Sequence, residues 1–188
     1  MSETKKSSSN FKPIDIAFIA VCAALMAVCA WLEIPAVVPF TLQTFAIFFA
    51  LDFLGGKKGT IAITVYILLG AVGVPVFSKF QGGIGALLGT TGGYIIGFIF
   101  SGLIYWLFET VLPKKYFIRV IAMILGLFVC YAFGTAWFMI VYAKTHDAIG
   151  LQTALVWCVY KFIPFDLAKI ALALGLGKVL RKALNIGR

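Results

Sequence analysis

The stretch Phe162-Ile163-Pro164-Phe165-Asp166-Leu167-Ala168-Lys169-Ile170-Ala171-Leu172-Ala173-Leu174-Gly175-Leu176-Gly177-Lys178 decides the fold. It is an apolar helical run interrupted by one acid and one base. Asp166 and Lys169 are three positions apart, which puts them on one helix face, with Phe162, Ala173 and Gly177 near the same stripe. Hydrocarbon cannot solvate such charges, so they must meet protein, a cavity or a ligand, and an ionisable residue at membrane depth is a functional-site candidate by default. Counted back from Lys178 as the inner boundary, Asp166 lies 12 residues in, roughly 18 Å at helical rise. That is near the middle of a hydrocarbon core about 30 Å thick. Pro164 removes a backbone donor just ahead of the pair and tends to open the helix, as at the binding sites of broken-helix transporters. Two readings stand side by side: a pair that binds a solute, and a structural ion pair that only fixes packing.

Working outward, the membrane premise holds for the whole chain. Of 188 residues, 62% are hydrophobic and 12% charged, against about 45–50% apolar and about 25% charged in a soluble domain. The sequence predicts an all-α integral membrane protein with six transmembrane helices in one compact bundle, over residues 14–32, 41–54, 59–72, 92–112, 117–143 and 151–180. Residues 1–12 read as a disordered cytosolic tail and residues 13–184 as one membrane domain. The first apolar run is too long for the core of a signal peptide and lacks a small-residue cleavage pattern, so it is read as a permanent span.

Orientation follows from the basic residues, which concentrate in cytoplasmic loops. Six spans with both termini inside place Lys5, Lys6, Lys12, Lys57, Lys58, Lys114, Lys115, Arg119, Lys178, Arg181, Lys182 and Arg188 on one side, and only Lys79 and Lys144 on the other. Lys161 and Lys169 remain within the sixth span. The net charge of +9 is thereby topological and requires no nucleic acid, although a basic face also attracts anionic lipid. The chain is expected in the cell (cytoplasmic) membrane as a multi-pass protein surrounded by the lipid bilayer.

Three further features bear on function. The run Gly73-Val74-Pro75-Val76-Phe77-Ser78-Lys79-Phe80-Gln81-Gly82-Gly83, continuing through Gly89-Thr90-Thr91-Gly92-Gly93-Tyr94, lies on the outer side and is placed either to cap a solute or to form an ordinary Gly-rich loop. Ala20, Ala23, Ala24, Ala27 and Ala30 form a small-residue stripe in the first span, suited to close helix approach within the bundle or with a partner. Cys22, Cys29, Cys130 and Cys158 have neither metal-site nor disulfide spacing, and buried thiols behave as small hydrophobes. His146 stands alone, so neither a zinc site nor a Ser-His-Asp hydrolase is supported.

Thr41-Leu42-Gln43-Thr44 after Val38-Pro39, the run Gly73 to Phe77, Gly82-Gly83 with Gly92-Gly93-Tyr94, and Phe162 to Lys169 together resemble BioY, the biotin-specific substrate-binding (S) component of energy-coupling factor (ECF) transporters. The resemblance runs from Pro13 to Lys178, and the order and spacing of its motifs are more specific than any one of them. It implies capture of biotin from outside, with a separate transmembrane scaffold subunit and two cytosolic ATPases as partners and no cofactor. The chain itself lacks a G-x-x-x-x-G-K-[ST] phosphate loop. Thr90 stands where the family commonly has proline before Thr-Gly-Gly-Tyr, and Phe165 where it commonly has glycine before the aspartate.

The resemblance also assigns roles. Asp166 is expected to accept the ureido N–H groups and Lys169 to neutralise it or to donate to a ligand oxygen. Thr41 and Gln43 complete the polar set, while Lys79 or the amides near Gly82 and Gly83 receive the carboxylate. Phe77, Tyr94, Trp137 and Trp157 are candidate walls. In the resembling family an alanine face docks on the scaffold, which points to Ala20, Ala23, Ala24 and Ala27. The alternatives are an S component for another vitamin, a small membrane-embedded enzyme lacking a visible second reactive set, and a narrow channel lacking a selectivity ring.

Overall fold

The computed structural model describes residues 11–113 and 115–184. The expected tail up to Asn10 lies outside the described residues, as do Lys5, Lys6, Lys114 and Arg188. Helix α1 is Pro13–Trp31, followed by a short antiparallel hairpin of β1 (Glu33–Ile34) and β2 (Phe40–Thr41). Then come α2 (Gln43–Leu54), α3 (Gly56–Ala71), a 3-10 turn at Ser78–Phe80 and the short α4 (Ile84–Leu88). The chain continues through α5 (Gly92–Val111), α6 (Tyr116–Tyr142), α7 (Leu151–Leu155), a π-helical turn at Val156–Tyr160 and α8 (Ile163–Ala183).

The sixth predicted span is therefore not one helix but three pieces. Pro164 falls in the first turn of α8, where its missing N–H has no helical partner to lose. It starts a helix instead of kinking one. The third segment begins at Gly56, three residues before the predicted start at 59. Gly55 explains this: its φ of 91° is open to glycine and lets α2 turn into α3 across one residue.

Helices α1, α5 and α6 are long and apolar enough to cross a membrane. With 12 and 16 residues, α2 and α3 span about 18 and 24 Å. The 21 residues of α8 are long enough but carry Asp166, Lys169, Lys178, Arg181 and Lys182.

Polar clamps gather the helix ends. Lys58 meets Asp15 at 2.6 Å, and Glu109 accepts the Gly56 N–H at 2.6 Å. Asp52, with no exposed surface, splits its carboxylate between Arg119 at 2.7 Å and Arg181 at 2.5 Å. Arg181 also donates to the Asp52 carbonyl at 2.6 Å. These contacts bring the starts of α1, α3 and α6 and the ends of α2, α5 and α8 to one pole of the bundle. At the other pole Trp31 Nε1 donates to Pro75 O and Trp137 Nε1 to Gly89 O, both at 3.0 Å.

Between the poles, α2 is nearly enclosed, with Ala46 through Phe53 all buried. That enclosure fits a helix that is apolar on every side. Helices α5 and α6 approach closely along Gly97 and Gly126, where Ser101 donates to Gly126 O at 2.7 Å.

The alanine stripe of α1 is divided. Ala23, Ala27 and Ala30 are buried in the protein's own bundle, whereas Ala20 and Ala24 are exposed. Ala23 and Ala27 are thus corrected from docking to packing positions, because the inner face of α1 lies on α2 and α3. Ala17, Ala20, Val21, Ala24 and Val28 form the outward stripe.

Replacing Asp52 with Ala leaves two guanidinium groups without their shared carboxylate, and breaking a buried pair costs about 3–5 kcal/mol. The expected result is a sharp fall in melting temperature in detergent; a variant melting with the parent protein would contradict the clamp.

Candidate functional site

A cavity lies at the Trp31–Pro75 pole, between the β1–β2 hairpin, α2, the 3-10 turn, α5, α6, the π-helical turn and α8. The void between its walls is about 790 Å³ including the open mouth. Asp166 and Lys169 form its floor together with Gln43, Thr41 and Tyr131, and its other walls include Phe77, Tyr94, Ile95, Phe98 and Phe162.

The floor is held by a continuous polar network. Lys169 Nζ contacts Asp166 Oδ1 at 2.7 Å and donates to the Thr41 carbonyl at 2.7 Å. It also stands 4.0 Å from the Phe40 ring centroid, within cation–π range. Tyr131 OH donates to Asp166 Oδ2 at 2.5 Å. The carboxylate is 3% exposed and the lysine 5%, so both charges are compensated inside protein, as their depth requires. A carboxylate offers about four lone-pair sites, so two further donors can still be accepted.

Gln43 Nε2 donates to Tyr66 OH at 2.8 Å, and that hydroxyl donates to Val76 O at 3.2 Å. Gln43 retains its Oε1 as an acceptor. Tyr94 shares a 2.9 Å hydrogen bond with Thr135. Phe77 is buried edge-on against Tyr66, with ring centroids 5.6 Å apart. Cys130 and Cys158, both free thiols, also face the cavity.

Six residues singled out from the sequence thus meet at one site: Thr41, Gln43, Phe77, Tyr94, Asp166 and Lys169. Lys79, Gly82 and Gly83 do not line it. Lys79 is exposed with φ 57°. The Gly83 N–H is committed to Gly70 O at 2.6 Å, and Gly82 packs against the Val74 and Gly73 backbone. These glycines fold the segment onto the end of α3, and Ser78 and Gln81 reach the cavity in place of Lys79. Trp137 braces the turn before α5 through Gly89, and Trp157 faces a separate outer groove. Phe165 is also outside the cavity, edge-on to Phe40 with centroids 5.0 Å apart. The large side chain in the glycine position therefore leaves the space beside Asp166 free.

Tyr131 was not legible in advance. It is one aromatic in the long apolar run of α6, and only its position opposite Asp166, 35 residues away in sequence, separates it from a packing residue.

A profile of the BioY family matches residues 3–186. The biotin transporter BioY of Thermotoga maritima is 40% identical over 152 residues, which cover 80% of this chain and 85% of that protein. A probable biotin transporter BioY of Pyrococcus horikoshii is 35% identical over 163 residues, covering 86% and 93%. The crystal structure of the S-component for biotin from an ECF-type ABC transporter superposes with a TM-score of 0.78 at 28% identity, covering 90% of this chain and 91% of that one.

Tyr131→Phe removes the donor to Asp166 while keeping the ring, and a hydrogen bond to a charged group is worth about 1.5–3 kcal/mol. A lower melting temperature without bound solute is expected; an unchanged one would show that the hydroxyl does not hold the carboxylate.

Proposed function

The chain belongs to the BioY family, and we propose that it captures biotin as the S component of an ECF-type ABC transporter. The observation that carries this reading is the buried Asp166–Lys169 pair, held by Tyr131 and Thr41 on the floor of a cavity with apolar walls. Biotin has matching chemistry: a ureido group with two N–H donors and one acceptor, an apolar bicycle, and a carboxylate on an alkyl arm. The free lone pairs of Asp166 suit the donors, and Lys169 or Gln43 suits the ureido oxygen. Phe77, Tyr94 and Phe98 flank the bicycle. The arm then runs toward the mouth, where Ser78, Gln81 and water receive the carboxylate in place of Lys79, Gly82 and Gly83.

In this reading six segments cross the membrane as one domain over residues 13–184, counting α2 and α3 as short crossings and α7 with α8 as one broken crossing. The polar clamps support it by collecting Lys12, Lys57, Lys58, Arg119 and Arg181 at one pole. That pole is cytoplasmic by the positive-inside rule, with both termini on its side, and the cavity faces outward from the cytoplasmic membrane. Transport then requires a transmembrane scaffold and two cytosolic ATPases. The scaffold docks on the outward stripe of α1 around Ala20 and Ala24.

Native mass spectrometry of the purified protein is the direct test. Retained biotin, lost by at least tenfold in Asp166→Asn with the fold intact, is the expected result. Retention of another vitamin moves the chain to a sister S component, and unchanged affinity in a folded Asp166→Asn protein leaves the pair purely structural.

For the scaffold, Ala20→Trp with Ala24→Trp should abolish co-purification with the transmembrane subunit while sparing biotin binding. Ala23→Trp, aimed into the core, should cost stability instead. Intact complex formation in the outward double variant would remove α1 from the interface.

A further inference from the structure

A second concavity lies outside the biotin cavity, across the Phe40 and Phe162 rings. Its void, including the open mouth, is about 910 Å³, and its walls are Ile34, Val37 and Phe40 of the hairpin region with Trp157 and Phe165 from either side of the break before α8. Ile34, Val37 and Phe165 are 65%, 53% and 57% exposed, and in the topology proposed above this side of the bundle borders lipid. Lys161 stands among them, also exposed, and its ammonium makes no hydrogen bond or ion pair with any described residue.

Acyl chains alone account for the apolar walls but not for the ammonium. Lys161 lies five residues beyond Asp166, roughly 7 Å further from the Lys178 end at helical rise. Its stem runs along apolar wall while its head reaches for the interface, and Trp157 is the ring type enriched at that level. The geometry points to a site for one anionic phospholipid of the bilayer, with its phosphate on Lys161 and an acyl chain in the groove between Trp157 and Phe165. Charge complementarity favours this occupant, because Lys161 is the charged residue on the groove's lining and an anionic headgroup is its complement. Phe165 forms one wall of the groove. The inference rests on the membrane topology proposed above and not on the identity of the transported solute.

The test uses delipidated full-length protein titrated with phosphatidylglycerol or phosphatidylcholine of identical acyl chains, read by native mass spectrometry. At least tenfold preference for phosphatidylglycerol is expected. It should fall to near parity in Lys161→Gln and persist in Lys161→Arg, while Phe165→Ala weakens both lipids. Equal retention of the two lipids, or a preference untouched by Lys161→Gln, overturns the site. So does displacement of the lipid by biotin, which would assign the groove to the solute path. Bound biotin appears in the same spectra, so biotin retained without lipid preference defeats only this site, and lipid preference without biotin defeats only the proposed transport function.

Discussion

Each buried charge among the described residues, Asp52, Asp166 and Lys169, is held by a partner, and the two carboxylates do most of the holding. Asp52 joins α6 and α8 to α2 through Arg119 and Arg181. Asp166 joins α8 to α6 through Tyr131 and takes Lys169 as its counter-ion. On α6 the two anchor points, Arg119 and Tyr131, are 12 residues apart, about 18 Å along the helix. Direct packing between α6 and α8 is sparse, so their alignment depends on these clamps. A lone carboxylate at either position would carry the desolvation penalty without the compensation; the helices are therefore fixed where their charges can meet.

The same accounting makes a structural pair and the proposed solute-binding pair compatible. Lys169 neutralises Asp166, and Tyr131 and Thr41 orient the two groups. What remains is a charged acceptor, fixed in place and still short of donors, at the bottom of an apolar cavity. In the proposed function, a solute with paired N–H groups meets acceptors that need no reordering, which lowers the entropic cost of binding. Structural neutralisation is what lets such an acceptor exist at this depth.

Much of this was legible in the sequence because hydrocarbon restricts the options. Apolar runs marked the helical segments, and Asp166 and Lys169 stood out because lipid solvates neither. What stayed hidden depended on facing and on distant partners. Helix α1 is apolar on all sides, so helical spacing could not distinguish inward Ala23 and Ala27 from outward Ala20 and Ala24. Asp52 sits in an apolar run, and its partners lie 67 and 129 residues away. The places of Lys79, Gly82 and Gly83 follow from the path of an irregular segment, set by contacts such as Gly83 to Gly70 that no periodicity announces. Pro164 predicted a break correctly, but whether a proline kinks a helix or begins one depends on the backbone before it.

The covers over the cavity differ in how firmly they are held. The β1–β2 hairpin is tied to the floor by Lys169, which contacts both the Thr41 carbonyl and the Phe40 ring. Displacing it would strip a buried cation of two of its partners. The segment from Gly73 to Gly83 is held by the Trp31–Phe80 stack at 4.9 Å, by Trp31 with Pro75, by Ser78 with Glu33, and by Tyr66 with Val76. Only the Glu33 bond among these involves a charged group, and Phe80 is 64% exposed. Neutral hydrogen bonds contribute about 0.5–1.5 kcal/mol each, and water at the mouth can replace several of them. The 73–83 side is thus held chiefly by neutral contacts and the hairpin side by a buried cation, and parting the former leaves the Asp166–Lys169 floor intact.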